Sequence, residues 1–290
     1  MRIDLHTHTR VSDGTQSPTE LVRAAVEAGL DVLGLTDHDT AGGWDEAARA
    51  AEGTGLTVLP GIEISARHHH HGVHLLAYRP DPAYPPLAGA LGKILAGRSS
   101  RVPAILERLR SHGMDVTAAD VRRASQDTAA TGRPHVADAM VALGYVADRS
   151  QAFRDWLNPG MPAYVDRYAA ELVDMLRLVG EAGGVPVIAH PWGRHGPEAM
   201  GEEALAGLVG LGLAGIEVDH EDHPPAARER LRAIARDLGL VVTGSSDHHG
   251  TGKDGHALGC NTTAPEDYER LVELATSARA TGTAAARSPE

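Results

Sequence analysis

His6 and His8 bracket Thr7 in the run Ile3-Asp4-Leu5-His6-Thr7-His8-Thr9. The run reads as a short strand, and on a strand residues two apart share a face, about 6.5–7 Å from one another. Two imidazoles on one face suit a single metal ion, although a His-x-His pair also occurs on ordinary polar strand faces. This pair has company. Asp13 follows in Ser12-Asp13-Gly14, and then come Thr36-Asp37-His38-Asp39, Glu63, His74, Ala189-His190-Pro191 and Ser246-Asp247-His248-His249. Nearly all of them lie where an apolar run gives way to a polar loop.

The elements that must position these residues alternate. Ser17-Pro18-Thr19-Glu20 is a capping box with proline at the first helical position, opening a helix that stops at Gly29. Val32–Thr36 is an apolar strand that delivers Asp37-His38-Asp39 at its end. A helix over about 43–54 precedes the strand Leu56–Pro60, which resumes as Ile62–Ser65 after a break at Gly61, and Val73–Tyr78 is a further strand. This βαβα rhythm predicts a parallel sheet with helices outside. After the prolines at 80, 82, 85 and 86 the signals as far as Tyr164 are all helical, and an all-helical block inside an alternating chain reads as an insertion. Alternation then resumes, with strands at 185–189, 215–218 and 240–244 and a last helix from Pro265 to Ser277. The expected division is barrel over 1–84, helical insertion domain over 85–164, barrel again over 165–277 and a frayed tail over 278–290. About seven strands, most ending in His, Asp or Glu, place the chemistry at the C-terminal face of a barrel.

Composition narrows the classes. Hydrophobic residues make up 42% of the 290 and charged residues 23%, an ordinary globular balance, so a sizeable core is available. One cysteine, Cys260, excludes an internal disulfide framework. The start Met1-Arg2-Ile3-Asp4 enters a strand with no signal-peptide core, and no stretch approaches a membrane span; a cytoplasmic location is expected. A net charge of −12 argues against a broad nucleic-acid-coating surface, but not against a phosphate ligand, because bound metals make a site locally positive.

Taken together, His6-Thr7-His8, Ser12-Asp13-Gly14, Thr36-Asp37-His38-Asp39, Gly61-Ile62-Glu63-Ile64-Ser65, Ala189-His190-Pro191 and Ser246-Asp247-x-His249 resemble the PHP (polymerase and histidinol phosphatase) superfamily. The helical block containing Gly132-Arg133-Pro134-His135 resembles the branch of nucleoside 3′,5′-bisphosphate phosphatases and short-RNA 5′-exonucleases. The resemblance implies an α/β fold, a distorted (β/α)7 barrel with two or three divalent metals, Mn²⁺ first, with Mg²⁺, Fe²⁺ or Zn²⁺ as alternatives. It implies one site of His6, His8, Glu63 and Asp247, a second of bridging Glu63 with His74 and His190, and a third of Asp13, His38 and His249. The chemistry agrees: six imidazoles and three carboxylates are too many for one ion, and Glu63 has two oxygens to share. Many members carry His where this chain has Asp13; a carboxylate makes the third site harder, favouring Mn²⁺ or Mg²⁺ over Zn²⁺, and more weakly held.

The expected activity is hydrolysis of a phosphate monoester of a small nucleotide by water activated at the metals; the resemblance to the bisphosphate phosphatase branch implies that it is the 3′-phosphate of nucleoside 3′,5′-bisphosphates. Arg133 and His135 at a helix start, then Arg98 and Arg101, are the expected holders of a second phosphate. Alternatives are a histidinol-phosphate phosphatase, a 5′–3′ exonuclease on short RNA and, outside enzymes, a metal-binding regulatory module. Several residues have plainer readings. Asp37 and Asp39 read as supporting or capping groups. Glu217, His220 and His223 either line the site or cap the next helix. His248 points away, and His68-His69-His70-His71 reads as a solvated loop.

Overall fold

The computed structural model describes residues 1–193 and 196–285. In chain order its elements are β1 (Ile3–Thr7), α1 (Pro18–Glu27), β2 (Val32–Leu35), α2 (Trp44–Ala51), β3 (Thr57–His68), β4 (His71–Tyr78), α3 (Pro85–Ser100), α4 (Val102–Ser111), α5 (Ala118–Ser125), α6 (Arg133–Ala142) and α7 (Arg149–Ala152), which runs into a π-helical turn, Phe153–Leu157. There follow β5 (Ala170–Glu171), α8 (Leu172–Glu181), β6 (Val185–Ile188), α9 (Glu202–Val209), β7 (Gly215–Asp219), α10 (Pro225–Leu238), β8 (Val241–Gly244) and α11 (Pro265–Ala285). The Ser17 capping box is formed, its hydroxyl accepting from the Glu20 amide. α11 continues to Ala285, past the expected stop at Ser277; the rest of the expected tail, 286–290, lies outside the described residues.

Seven strands form one nearly closed, barrel-shaped sheet in the order β1-β2-β3-β4-β6-β7-β8, with the two-residue β5 beside β3. Closure between β8 and β1 relies on a side chain. The buried Asp4 carboxylate accepts from the Ser246 and Gly259 amides at 3.0 and 2.8 Å, and a single backbone bridge joins Thr7 to His248.

The sheet is not all parallel, as the βαβα reading had it. β3 and β4 are an antiparallel hairpin whose turn is His69-His70, and β4 pairs antiparallel with β6. A two-residue connection cannot span a parallel crossover, so β4 must reverse. Its N-terminal half therefore sits at the same end as the C-terminal ends of the parallel strands. The expected break at Gly61 is also absent. β3 runs through it because the missing side chain leaves room for Thr36 Cγ2, which would lie 2.7 Å from a Cβ there.

The apolar interior falls into separate clusters. Ile62, Ile64, Leu75 and Ile216 pack with Leu87, Leu91 and Ile94 of α3, so α3 belongs to the barrel wall although it falls within the expected insertion. Val102, Ile105, Leu109, Val136, Met140 and Leu157 form a second cluster among α4–α7 and the π turn. Bonds to the loop after β1 join that helical layer to the barrel: Arg149 Nη1 donates to Asp13 O at 2.8 Å, Arg10 Nη1 to Gln126 Oε1 at 3.4 Å and Thr128 Oγ1 to Val11 O. No described helix is long and apolar enough to cross a membrane.

Candidate metal centre

The register of β1 against β2 slips by one residue between Asp4 and Thr7. A bulge of this kind bends the strand and re-aims its side chains, and here it falls at Leu5-His6. The His6 and His8 Nε2 atoms lie 3.0 Å apart. Glu63 Oε2, from the middle of the long β3, is 3.3 and 3.2 Å from them, and Asp247 Oδ1, beyond the end of β8, is 3.5 and 3.2 Å from them. Edges of this length are those of donor atoms gathered around one divalent ion, and His6, His8 and Asp247 form such a set. Asp247 Oδ1 is buried yet makes no hydrogen bond, as expected of a ligand atom aimed at a shared centre.

The other Glu63 oxygen, Oε1, meets His74 Nδ1 at 2.6 Å and His190 Nε2 at 3.2 Å. His74 reaches this point only because β4 runs backwards. Asp13 gathers a third group: its Oδ1 is 3.4 Å from His249 Nε2 and its Oδ2 3.5 Å from His38 Nε2, while His8 Nδ1 stands 3.8 Å away. Gly14 lets the Asp13 loop close down, since a Cβ there would lie 2.5 Å from His8 O. His38 also touches Glu63, with Nδ1 3.0 Å from Oε2, so the three groups are contiguous. All nine sequence-selected residues thus converge, and the described residues include sets such as His6/His8/Asp247 and His8/Asp13/His38/His249 that could hold metal ions.

Three residues of this region, Asp39, His190 and Asp247, adopt positive φ (58°, 26° and 51°) without being glycine. Such conformations cost about 1–3 kcal/mol each and persist where neighbours impose them. The titrations follow the crowding. Burial would raise the Asp13, Glu63 and Asp247 carboxyls, but the surrounding imidazoles, and Lys253 for Asp247, hold them well below the usual range. Burial lowers His8 less than Asp247 and Glu63 raise it, leaving it at about 9. Burial drives His190 down to about 4. Cations are therefore needed among the carboxylates, and without metals His6 and His8, both raised by their carboxylate neighbours, supply them as protons.

Around these groups stand the residues that orient them. Glu217, left open by the sequence, lies inside the barrel: Oε1 accepts a hydrogen bond from His6 Nδ1 at 3.2 Å and Oε2 accepts one from the His190 amide at 2.9 Å. His6 Nε2 is then the lone-pair nitrogen facing the cluster. His249 Nδ1 donates to Asp247 O at 2.8 Å, which fixes its Nε2 toward Asp13 in the same way. Asp37 accepts from Thr9 and Ser12 and steadies the β1 loop. His220 faces Asp247 Oδ2 at 3.3 Å, and His223 accepts from the Trp192 amide at 3.2 Å, holding the His190 loop. His248 turns away to Gln16 and His256 O, as expected.

Lys253 and Arg149 were not singled out in the sequence. Lys253 Nζ is 2.6 Å from Asp247 Oδ2, and both residues line the same ≈ 290 Å³ cavity as Asp13, His38, Glu63, His74, His190 and His249. Their signals were thin: Lys253 follows Gly250-Thr251-Gly252 six residues after Asp247, and Arg149 opens a four-residue helix.

The expected phosphate-binding side chains separate. Arg98 is buried, donating to Asp39 Oδ2 at 2.6 Å and Ser65 Oγ at 2.8 Å; its charge is already used to tie α3 to the loop after β2. The His135 ring folds back to accept the Gly132 amide at 3.1 Å and closes the first turn of α6 instead of facing the cavity. Arg133 does line the metal cavity. It stacks between Phe153 and Tyr164, 5.6 and 5.5 Å from their ring centres, and donates to Leu157 O. It also lines, with His74, a second cavity of ≈ 670 Å³ whose walls include Arg67, Arg101 and Arg167. Arg101 is buried there with Nε lacking a hydrogen-bond partner; burial and the neighbouring Arg133 and Arg167 push it down to about 8. A buried cation crowded by like charges is a place for an anion.

A profile of the PHP domain family matches residues 4–142. A 3′,5′-nucleoside bisphosphate phosphatase of Chromobacterium violaceum is 36% identical over 264 residues, covering 89% of this chain and 90% of its own. A 5′-3′ exoribonuclease of Haemophilus influenzae is 32% identical over 248 residues, covering 86% and 90%. A crystal structure from Bifidobacterium adolescentis, of a protein presumed to be a metal-dependent phosphoesterase, superposes with a TM-score of 0.90 at 37% identity over 94% of this chain and 96% of its own.

Proposed function

The chain belongs to the PHP domain family and is a metal-dependent phosphoesterase, and from that premise we propose that it removes the 3′-phosphate of nucleoside 3′,5′-bisphosphates. The observation that carries the substrate is the pair of adjoining cavities: Arg133 and His74 line both, so one phosphate can lie among the carboxylates and imidazoles while the other lies beside Arg101 and Arg167. The relative named as a 3′,5′-nucleoside bisphosphate phosphatase supports the choice.

In this reading His6, His8, Glu63 and Asp247 hold one ion, Glu63 with His74 and His190 a second, and Asp13, His38 and His249 a third, with Mn²⁺ the expected occupant. Divalent ions held there neutralise a phosphoryl group and make water a nucleophile at neutral pH. The chain's own part is positional. Glu217 and the Asp247 carbonyl fix the imidazole tautomers, Lys253 presents an ammonium at the cavity wall, and the π turn with Phe153 covers the mouth against bulk water. Residues 85–164, or the part of them from Val102 on that has its own core, form the substrate-covering domain, and the enzyme works in the cytoplasm. The exoribonuclease relative supports a second reading, short RNA entering the same groove 5′ end first.

The test is a phosphate-release comparison of the Mn²⁺-loaded protein on adenosine 3′,5′-bisphosphate, histidinol phosphate and a simple aryl phosphate. The bisphosphate should give the highest kcat/KM. Preference for histidinol phosphate would overturn the reading.

A further inference from the structure

The β3–β4 hairpin ends in four consecutive histidines that the phosphoesterase site does not use. His68 and His71 are the last directly paired residues of the ladder, so their side chains leave the sheet on the same face, about 5 Å apart at Cβ. His69 and His70 are the two turn residues, with rings 4.4 Å from His68 and 4.2 Å from His71 respectively. Two-residue hairpin turns call for Gly, Asn or Asp, because their corners need positive φ. Here His69 takes φ 52° in their place. The turn thus gives up its best residues and gains two more imidazoles. Burial and the neighbouring His69 and His71 also hold His68 below the ordinary histidine value, which keeps its lone pair available at neutral pH.

We propose that this hairpin tip is a separate metal site, in which the facing pair His68 and His71 chelates a late first-row divalent ion such as Ni²⁺ or Zn²⁺; among the described residues no three of the tip's donor atoms are gathered, so a turn imidazole, His69 or His70, swings in on binding to complete the grip. All-imidazole donors suit these ions and not Mg²⁺ or Mn²⁺, which seek oxygen; the tip therefore selects a different class of metal from the carboxylate-rich centre. His70 lines the cation-walled groove that opens on that centre, so an ion at the tip adds positive charge to the groove's outer end.

The experiment is calorimetric titration of untagged, Mn²⁺-saturated protein with Ni²⁺, in parallel with two variants. His68→Thr with His71→Thr keeps strand-compatible residues but removes the facing pair; His69→Asn with His70→Gly installs the preferred turn, so loss of binding there cannot be blamed on misfolding. Wild type should bind one Ni²⁺ that does not displace Mn²⁺. The first variant should lose that binding while retaining phosphate release without Ni²⁺, and the second should weaken the binding about tenfold. Unchanged Ni²⁺ affinity in the His68/His71 variant, or uptake that releases Mn²⁺ one for one, would overturn the proposal.

Discussion

Glu217 decides more than its place outside the candidate ligand set suggests. It is fully buried and serves two of the candidate ligands at once, accepting from the His6 Nδ1–H and from the His190 amide. Replacing Glu217 with Gln keeps the volume and removes the charge. Loss of such an orienting carboxylate should cost about 10–100-fold in metal affinity or activity, read by metal content after dialysis alongside phosphate release. A variant that binds metal and turns over like wild type would mean that the bulge in β1 alone orients His6. At this scale the sequence was legible where residue type and strand-end position coincide, as for His6, His8, His190, Asp247 and His249. It was not legible for Glu217, His220 and Lys253, because a carboxylate inside a strand or a lysine in a glycine-rich loop carries no periodic mark of where it points.

The elements explain why Arg98 and Arg101, three positions apart, separate in role. Arg98 lies in the last turn of α3, against Asp39, and both side chains are almost fully buried. Arg98→Met would leave Asp39 as a buried, unpaired charge, and the expected loss is about 3–5 kcal/mol of stability, with KM changing equally for a bisphosphate and an aryl phosphate. Arg101 joins α3 to α4 and faces other arginines. Arg101→Met should leave thermal stability unchanged or raised, since it relieves like-charge crowding, and should raise KM for the bisphosphate several-fold more than for the aryl phosphate. The reverse pattern would move the second phosphate site to α3. Helical spacing could place both arginines near the site but could not say which carboxylate each would meet. Similarly, the strand Val73–Tyr78 was legible, but its direction was not: that depended on a two-histidine turn without the usual turn residues.

Over the whole molecule, one bowl-shaped site is assembled from the ends of parallel strands, the start of a reversed one and a helical layer tied to Asp13 O. The barrel could be anticipated because its strands carry polar residues at one end only. Its near-closure through Asp4 could not, since a side chain replacing a ladder bond leaves no pattern in sequence. The proposed reaction makes a specific demand on this architecture: of two phosphates on the substrate, the one among the carboxylates and imidazoles is cut. The most direct measurement is to incubate adenosine 3′,5′-bisphosphate with metal-replete enzyme and identify the nucleotide formed, with and without prior chelation. The expected products are adenosine 5′-monophosphate and one equivalent of phosphate, with turnover abolished by the chelator and restored by Mn²⁺. Adenosine 3′-monophosphate as the product, or undiminished turnover in the chelated protein, would contradict the proposed reaction.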